Sequence, residues 1–253
     1  MREHAGASTF SKGLRVLSCF ETAQRNFSMA EISRLTGFDR ATTRRLCLSL
    51  VETGFLNKVD QNLSLTPKIL AVAGGYLAAN DIGISVQPVL DQFSKELRGE
   101  LSLAVRDGDR AIYVAKSKTS MSRLTFGFTV GSSLPLLHTA VGRMLLARCR
   151  PDIVEGILER IEPRKFTEKT ELDPQKILAA ITRSGHEGYC YLKEEFETGA
   201  AAVAVSVGIL NGTEAVVGTT NTANKIADAT AREEVLDILR QTAMALRRLS
   251  IFS

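Results

Sequence analysis

The stretch SMAEISRLTGFDRATTRRLCLSL, residues 28–50, admits few folds. Ser28 and Glu31 have the S-x-x-E spacing of a capping box, in which a hydroxyl and a carboxylate satisfy free N–H groups at a helix start. Ile32 and Leu35 give the short helix that follows an inward face. Gly37 is placed to end it, because glycine enters the left-handed conformation that closes a helix at little steric cost. Asp39 then caps a further helix through its side chain. The result is a short helix, a tight turn and a helix that carries Arg40, Arg44 and Arg45.

At 100° per residue, Thr43, Leu46, Cys47 and Leu50 fall on one stripe, which is assigned to the core. Ala41, Arg44 and Arg45 point the other way, with Arg40 and Thr42 at the N-terminal edge. Small residues let a backbone approach DNA, arginines fork onto guanine or phosphate, and the helix N-terminus adds positive potential. A solvated basic face accounts for the arginines but not for the short helix and tight turn before them. Leu48, on the outer side, fits neither reading. A helix through SKGLRVLSCF, with Leu14, Leu17 and Phe20 inward, is expected ahead of the pair. After Gly54, FLNKV and LSLTP flank a turn-forming DQN, so Phe55, Leu56 and Val59 stand opposite Leu63 and Leu65 in a small hairpin. A helix-turn-helix followed by a hairpin is a winged helix, and Lys58 lies on or near the wing, within reach of a DNA backbone.

The charge distribution agrees. The chain has 253 residues, 44% hydrophobic and 24% charged, with a net charge of only +4. Residues 1–66 hold nine Lys/Arg against six Asp/Glu, whereas the remainder holds 23 against 22. An anionic partner is therefore expected for the N-terminal part. Cys19, Cys47, Cys149 and Cys190 are far apart and form no CxxC, which indicates neither a zinc site nor a disulfide framework and fits a reduced, cytoplasmic protein. MREHAGASTF lacks the apolar segment of a secretion signal. The longest apolar run, AAAVAVSVGIL, is about half the ~20 residues that span a bilayer, so no membrane role is expected; no cofactor is expected either.

From Thr66 the pattern shifts to LTPKILAVAGGYLAAND, with Pro67 at a helix start and Gly74-Gly75 weakening it at mid-length. Its place between two differently composed halves marks residues 67–85 as a linker helix between a winged domain, residues 1–66, and a second domain, residues 86–253. That domain opens with a helix, VQPVLDQFSKELRGE. LSLAVRDGDRAIYVAK reads as strands about a DG turn, and VAVSVGILNGTEAVVGTT as strands about Asn211-Gly212, a strong hairpin signal. Between them HTAVGRMLLAR, PDIVEGILERI and PQKILAAITRSG read as helices, the last closed by Gly185, and ATAREEVLDILRQTAMALRRL follows as a long one. Antiparallel hairpins covered by helices give an α+β fold with a curved sheet, an architecture that encloses small-molecule pockets.

The run MAEISRLTGFDRATTRRLCLSLVETGFL, then a wing, then LPLLHTAVGRMLLA and GYCYLKEEFETGAAAVAV, resembles the IclR family of bacterial transcriptional regulators over nearly the whole chain. LTPKIL after the wing and LPLLHTAVGRMLLA look most like the branch that controls aromatic-acid catabolism through protocatechuate and the β-ketoadipate pathway. The resemblance implies a winged helix on DNA, a linker helix that helps dimerise, and a GAF-like C-terminal domain that binds a small organic-acid effector. It also implies homodimers or homotetramers on partly palindromic double-stranded operators, which repress or activate transcription by RNA polymerase. Carried over residue by residue, Arg40, Thr42, Arg44 and Arg45 match the recognition-helix positions that meet DNA, and Ser28 matches the capping residue near phosphate. The effector motif falls on Thr139, Ala140 and Gly142, where a small-residue helix start with unpaired N–H groups suits a carboxylate. Tyr191, Leu192 and Lys193, then Ala202, Gly218 and Thr220, complete the implied pocket. Many members carry acids at positions 192 and 193, a cysteine at 202 and serines at 218 and 220. The less polar set here implies a different ligand with more apolar area, and Lys193 either faces in to pair with a carboxylate or out as a solvated lysine.

An enzyme is the rival class. Cys190 with His138 or His186 could supply a thiol and a base, and Glu194 with Glu195 an acid–base pair. Each has a plainer role: Cys190 as a small buried hydrophobe in GYCYL, the histidines bonded to backbone or water beside a helix and in a Gly-flanked turn, the glutamates solvated. The sequence shows no nucleotide loop, metal spacing or nucleophile elbow, and the regulator reading stands ahead. In a third class the basic helix meets a protein, and salt dependence separates that class from a DNA reader.

Overall fold

The computed structural model describes residues 8–21, 26–118, 128–226 and 228–253, so the leader reading of MREHAGASTF falls mostly outside the described residues. The chain forms two compact units, Met1–Tyr76 and Leu77–Ser253. The first contains α1 (Ser8–Ser18), β1 (Phe27–Ser28), α2 (Met29–Thr36), α3 (Arg40–Glu52), β2 (Leu56–Val59) and β3 (Asn62–Leu65), and α4 (Lys68–Ala79) follows. Local signals set these boundaries. Ser28 Oγ accepts the Glu31 N–H at 3.2 Å while the Glu31 carboxylate accepts the Ser28 N–H at 2.8 Å, closing the capping box. Gly37 closes α2 at φ 73, and its N–H donates to the Ser33 carbonyl. Asp60 takes φ 53 in the two-residue turn that pairs Val59 with Asn62.

Val16, Phe20, Phe27, Ile32, Leu46, Cys47, Leu56 and Leu63 form this unit's core, with the Phe20 and Phe27 rings edge to face at 5.2 Å. Thr43 is fully buried, while Leu50 only packs at the margin. Two expectations are corrected. Leu14 and Leu35 are 49% and 55% exposed, and the inward positions belong to Val16 and Thr36. The four-residue step from Ile32 to Thr36 follows the helix face more closely than the step to Leu35, and Thr36 is tolerated there because its hydroxyl donates to the Ile32 carbonyl at 2.7 Å. In the hairpin Leu56 and Leu63 point inward, so Val59 and Leu65 stay largely exposed.

The second unit runs from a π-helical turn (Ile82–Val86) into α5 (Gln87–Leu97), then β4 (Ser102–Asp107), β5 (Arg110–Lys116), β6 (Ser133–Pro135), α6 (Ala140–Leu146), α7 (Pro151–Arg160), α8 (Pro174–Glu187), β7 (Tyr189–Lys193), β8 (Ala200–Leu210), β9 (Thr213–Thr222) and α9 (Ala229–Arg247). The strands form one six-stranded antiparallel sheet, ordered β6-β5-β4-β9-β8-β7. Asn211 (φ 47) and Gly212 (φ 83) make the tight β8–β9 turn that the Asn-Gly pair announced. Bulges between Leu103 and Ala104 and between Ser206 and Gly208 add local twist.

Period-two alternation sends successive residues to opposite faces of this sheet. Leu103, Val105, Val203, Val205 and Val217 pack in one core cluster with Leu90 of α5 and Leu239 of α9. Ala104 and Ala204 face the other way, in a cluster with Val141 and Met144 of α6 and Ile177 of α8. Small residues on that face let α6 come close. Helix α8 continues through Gly185 to Glu187 and closes at Gly188 (φ 77), so His186 lies exposed on its last turn and not in a loop. Among the described residues no single helix is long and apolar enough to cross a membrane.

Candidate functional site

The first unit presents a basic helix end. Asp39 caps α3 by accepting the Thr42 N–H at 2.8 Å and the Thr42 hydroxyl at 2.7 Å, and these bonds hold its carboxyl below the usual range. The stripe of Thr43, Leu46 and Cys47 fixes the helix in the core, leaving Arg40, Ala41, Arg44 and Arg45 exposed. Among the described residues none of these arginines forms an ion pair, so all three guanidiniums are available to an anion. Lys58 is exposed on β2, opposite Leu63. Ser28 and Thr42 carry internal work as well, since both hydroxyls are engaged in caps. Lys12 and Arg15 of α1 add to this basic surface, and no motif marks them in the sequence. Their three-residue spacing brings both cations over the Phe38 ring beside the helix-turn-helix turn, at 5.8 and 5.5 Å.

The second unit holds a cavity between the sheet and α6, with a volume of about 70 Å³. That is several times the ~10–15 Å³ one ordered water needs. Thr139, Ala140, Ala202, Gly218 and Thr220 line it, as does Leu192. Three expected residues do not. Tyr191 and Lys193 alternate with Leu192 along β7: Tyr191 packs in the cluster on the opposite sheet face, under the Arg232 guanidinium at 4.8 Å, and Lys193 is exposed. Gly142 lies behind the wall, against the backbone of Leu136.

The sequence reading also missed most of the cavity's chemistry. An arc of rings runs Tyr113–Phe128–Phe196–Phe166–His138, with successive centroids 6.4, 6.0, 4.9 and 5.3 Å apart, and all but Phe166 reach the cavity. Burial pushes the Tyr113 phenol well above its ordinary pKa. Lys116 and Glu100 face each other across the cavity wall at 3.0 Å. Glu195 is not solvated: it clamps the buried Arg143 through both carboxylate oxygens, at 3.0 and 2.6 Å. Cys190 is buried, and burial raises its thiol pKa to about 11, which leaves it protonated and unsuited to nucleophilic chemistry. Among the described residues no cluster of His, Cys, Asp or Glu could hold a metal.

His138 is 2% exposed and accepts the Arg164 N–H at Nε2, at 3.1 Å. Burial, and secondarily the Arg143 guanidinium, hold its pKa down to about 4. The unfolded chain, titrating near the ordinary ~6.5, therefore binds a proton that the folded unit refuses. The stability tied to this histidine is intact above pH ~6.5 and drains away as pH falls toward 4. The melting temperature of the second unit is expected to drop by several degrees between pH 7 and 5, and less in His138→Gln. Equal pH slopes for the two proteins in scanning calorimetry would remove His138 as the cause.

A winged helix-turn-helix with free arginines, followed in the same chain by an α+β unit that encloses a cavity, defines a DNA-binding transcriptional regulator. Residues 9–60 match the IclR helix-turn-helix domain and residues 74–248 the bacterial transcriptional regulator IclR C-terminal domain. The chain belongs to the IclR family of transcriptional regulators. It is 31% identical to the Pca regulon regulatory protein of Pseudomonas putida over 200 residues, 79% of this chain and 69% of that protein. It is 29% identical to the Pca operon regulatory protein of Acinetobacter baylyi over 94% of this chain and 87% of that one. Its fold is similar to that of an IclR homologue from Microbacterium hydrocarbonoxydans complexed with 4-hydroxybenzoate, with a TM-score of 0.74 and 21% identity over 94% of this chain and 97% of the other.

Proposed function

We propose that this regulator binds operator DNA through Arg40, Thr42, Arg44 and Arg45 of α3, with Ser28 near phosphate and Lys58 on the wing, and answers to a small aromatic carboxylic acid held in the cavity. One observation carries the ligand class: the Tyr113–Phe128–Phe196 rings stand over a floor of small residues, Ala140, Ala202 and Gly218, which together suit a flat ring. The likeness to the two Pca regulatory proteins, and to a fold that holds 4-hydroxybenzoate, supports the same class. Thr139, Ala140, Ala202, Gly218 and Thr220 contribute to this site; Gly142 and Tyr191 support the fold around it, and Lys193 is solvated. Residues 1–66 act as the DNA-binding domain, 67–85 as the linker and 86–253 as the effector domain. Helix α4 buries none of its residues and exposes Leu70 (68%), Val72 (61%) and Tyr76 (47%), an apolar surface fit for assembly into a dimer or tetramer. The protein works in the cytoplasm, where RNA polymerase meets the operator. Ligand acts by shifting dimer geometry and so the spacing of two recognition helices, which must match that of the half-sites.

The test is a fluorescence-anisotropy titration against duplex from the upstream intergenic region at two salt concentrations, with and without benzoate-type acids. Binding is expected to fall steeply with salt, to exceed that to random duplex and to change with one acid. Arg44→Ala and Arg45→Ala should each weaken it by ~1–3 kcal/mol if the arginine reads a base. Undiminished operator binding by both variants would remove α3 as the reading helix.

A further inference from the structure

We propose that Lys116 is the anchor for the effector's carboxylate, and that Glu100 occupies this anchor as a built-in counter-ion until the acid arrives. The proposal rests on the reading of the cavity as an effector site. Among the described residues that line the cavity, Lys116 is the one lysine or arginine. Its side chain is only 14% exposed, and its ammonium lies 3.0 Å from a Glu100 carboxylate oxygen and also donates to the Phe128 carbonyl. A lysine ammonium has three donors. The Phe128 carbonyl takes one, which leaves donors for Glu100 or for an incoming acceptor.

Two of the other carboxylates in the wall are committed elsewhere, and Glu197 is exposed to solvent. Glu195 is matched by Arg143, and Glu194 is bound by Lys169 and the Gly199 N–H. The start of α6, where the sequence placed the carboxylate, is weaker than expected. That helix spans seven residues, and Thr139 already takes the Gly142 N–H on its hydroxyl and the Arg143 N–H on its carbonyl. An incoming acid thus meets one cation, Lys116, and one carboxylate already on it, Glu100. Because Lys116 is tied to the backbone of Phe128, its charge sits beside the aromatic arc. A benzoate ring lying against Phe128 and Phe196 would bring its carboxylate toward Lys116, and Glu100 would give way.

A lysine–glutamate pair that merely braces the wall predicts that removing either partner weakens binding. The anchor proposal predicts opposite signs. Lys116→Met should weaken acid binding tenfold or more, whereas Glu100→Gln, which removes the competing charge, should tighten it several-fold. Isothermal titration of the full chain with 4-hydroxybenzoate, protocatechuate and 4-hydroxybenzamide reads this out, with circular dichroism to confirm folding. The wild type should prefer the acids over the amide by at least tenfold, and Lys116→Met should erase that preference. A folded Lys116→Met that binds the acids as tightly as wild type, or a Glu100→Gln that binds them more weakly, overturns the anchor while leaving the effector site standing. If the wild type binds neither acids nor amide, the aromatic-acid reading fails and takes the anchor with it. Should Lys116→Met not fold, the sign of the Glu100→Gln change decides alone.

Discussion

Arg143→Met is expected to destabilise the second unit by ~3–5 kcal/mol, the cost of leaving a buried ionic partner uncompensated. Arg143 is 2% exposed, and all three parts of its guanidinium are engaged: Nε donates to the Leu137 carbonyl at 2.7 Å, and the two Nη groups fork onto Glu195. Methionine preserves much of the volume but returns none of these bonds. Glu195, 14% exposed, would keep only the Glu171 N–H at 3.3 Å. The damage would reach the cavity, because Glu195 precedes Phe196 in a segment that is otherwise pinned by Thr167 and Thr170 hydroxyls donating to the Glu194 and Glu195 carbonyls. Arg143→Met/Glu195→Leu should recover most of the loss, since replacing both charges removes the desolvated carboxylate along with its partner. Urea denaturation of the two variants and the wild type checks both statements. A single variant within 1 kcal/mol of wild type would show that the pair is effectively solvent-screened.

That clamp also shows where sequence reasoning stops. Features set by neighbours within four residues were legible before any coordinates: the Ser28–Glu31 box, the Gly37 closure, the Asp39 cap and the Asn211-Gly212 turn all form as their residue types dictate. Contacts between distant elements were not. Arg143 and Glu195 are 52 residues apart, and two adjacent glutamates in a loop look solvated until the opposing arginine is placed. Lys116 and Glu100 meet only because β4 and β5 pair, and His138 finds its partner in a backbone N–H 26 residues on. Tyr191 and Lys193 are a different matter. Once YCYLK is accepted as a strand, period two separates them from Cys190 and Leu192, so their absence from the cavity followed from the sequence itself. Leu14 and Leu35 failed because several apolar residues compete for one helix face, and only packing chooses between them.

Gly142→Ala is expected to destabilise the second unit by about 2–3 kcal/mol, against the sign that helix propensity alone gives. In an unhindered helix, glycine to alanine stabilises by up to ~1 kcal/mol, because glycine loses more backbone entropy on folding. At Gly142 a Cβ would lie 2.3 Å from the Leu136 carbonyl oxygen, 2.5 Å from its Cα and 2.7 Å from its carbonyl carbon. Those are backbone atoms beside β6, so no side chain can rotate out of the way, and α6 must move or the segment 134–137 must deform. Movement of α6 would be felt across the sheet as well, since Val141 packs against Gly218, where an added Cβ would come within 2.9 Å of Val141 Cγ1. Gly142 therefore shapes the cavity by letting the helix approach, without touching its contents. Gly74→Ala supplies the control: Gly74 is also helical, in α4, but nothing lies within 4 Å of its missing Cβ. Thermal melts should show Gly74→Ala unchanged or raised and Gly142→Ala lowered. If both variants melt at or above wild type, α6 can shift away from Leu136 at little cost, and the close approach is not what holds the cavity wall in place.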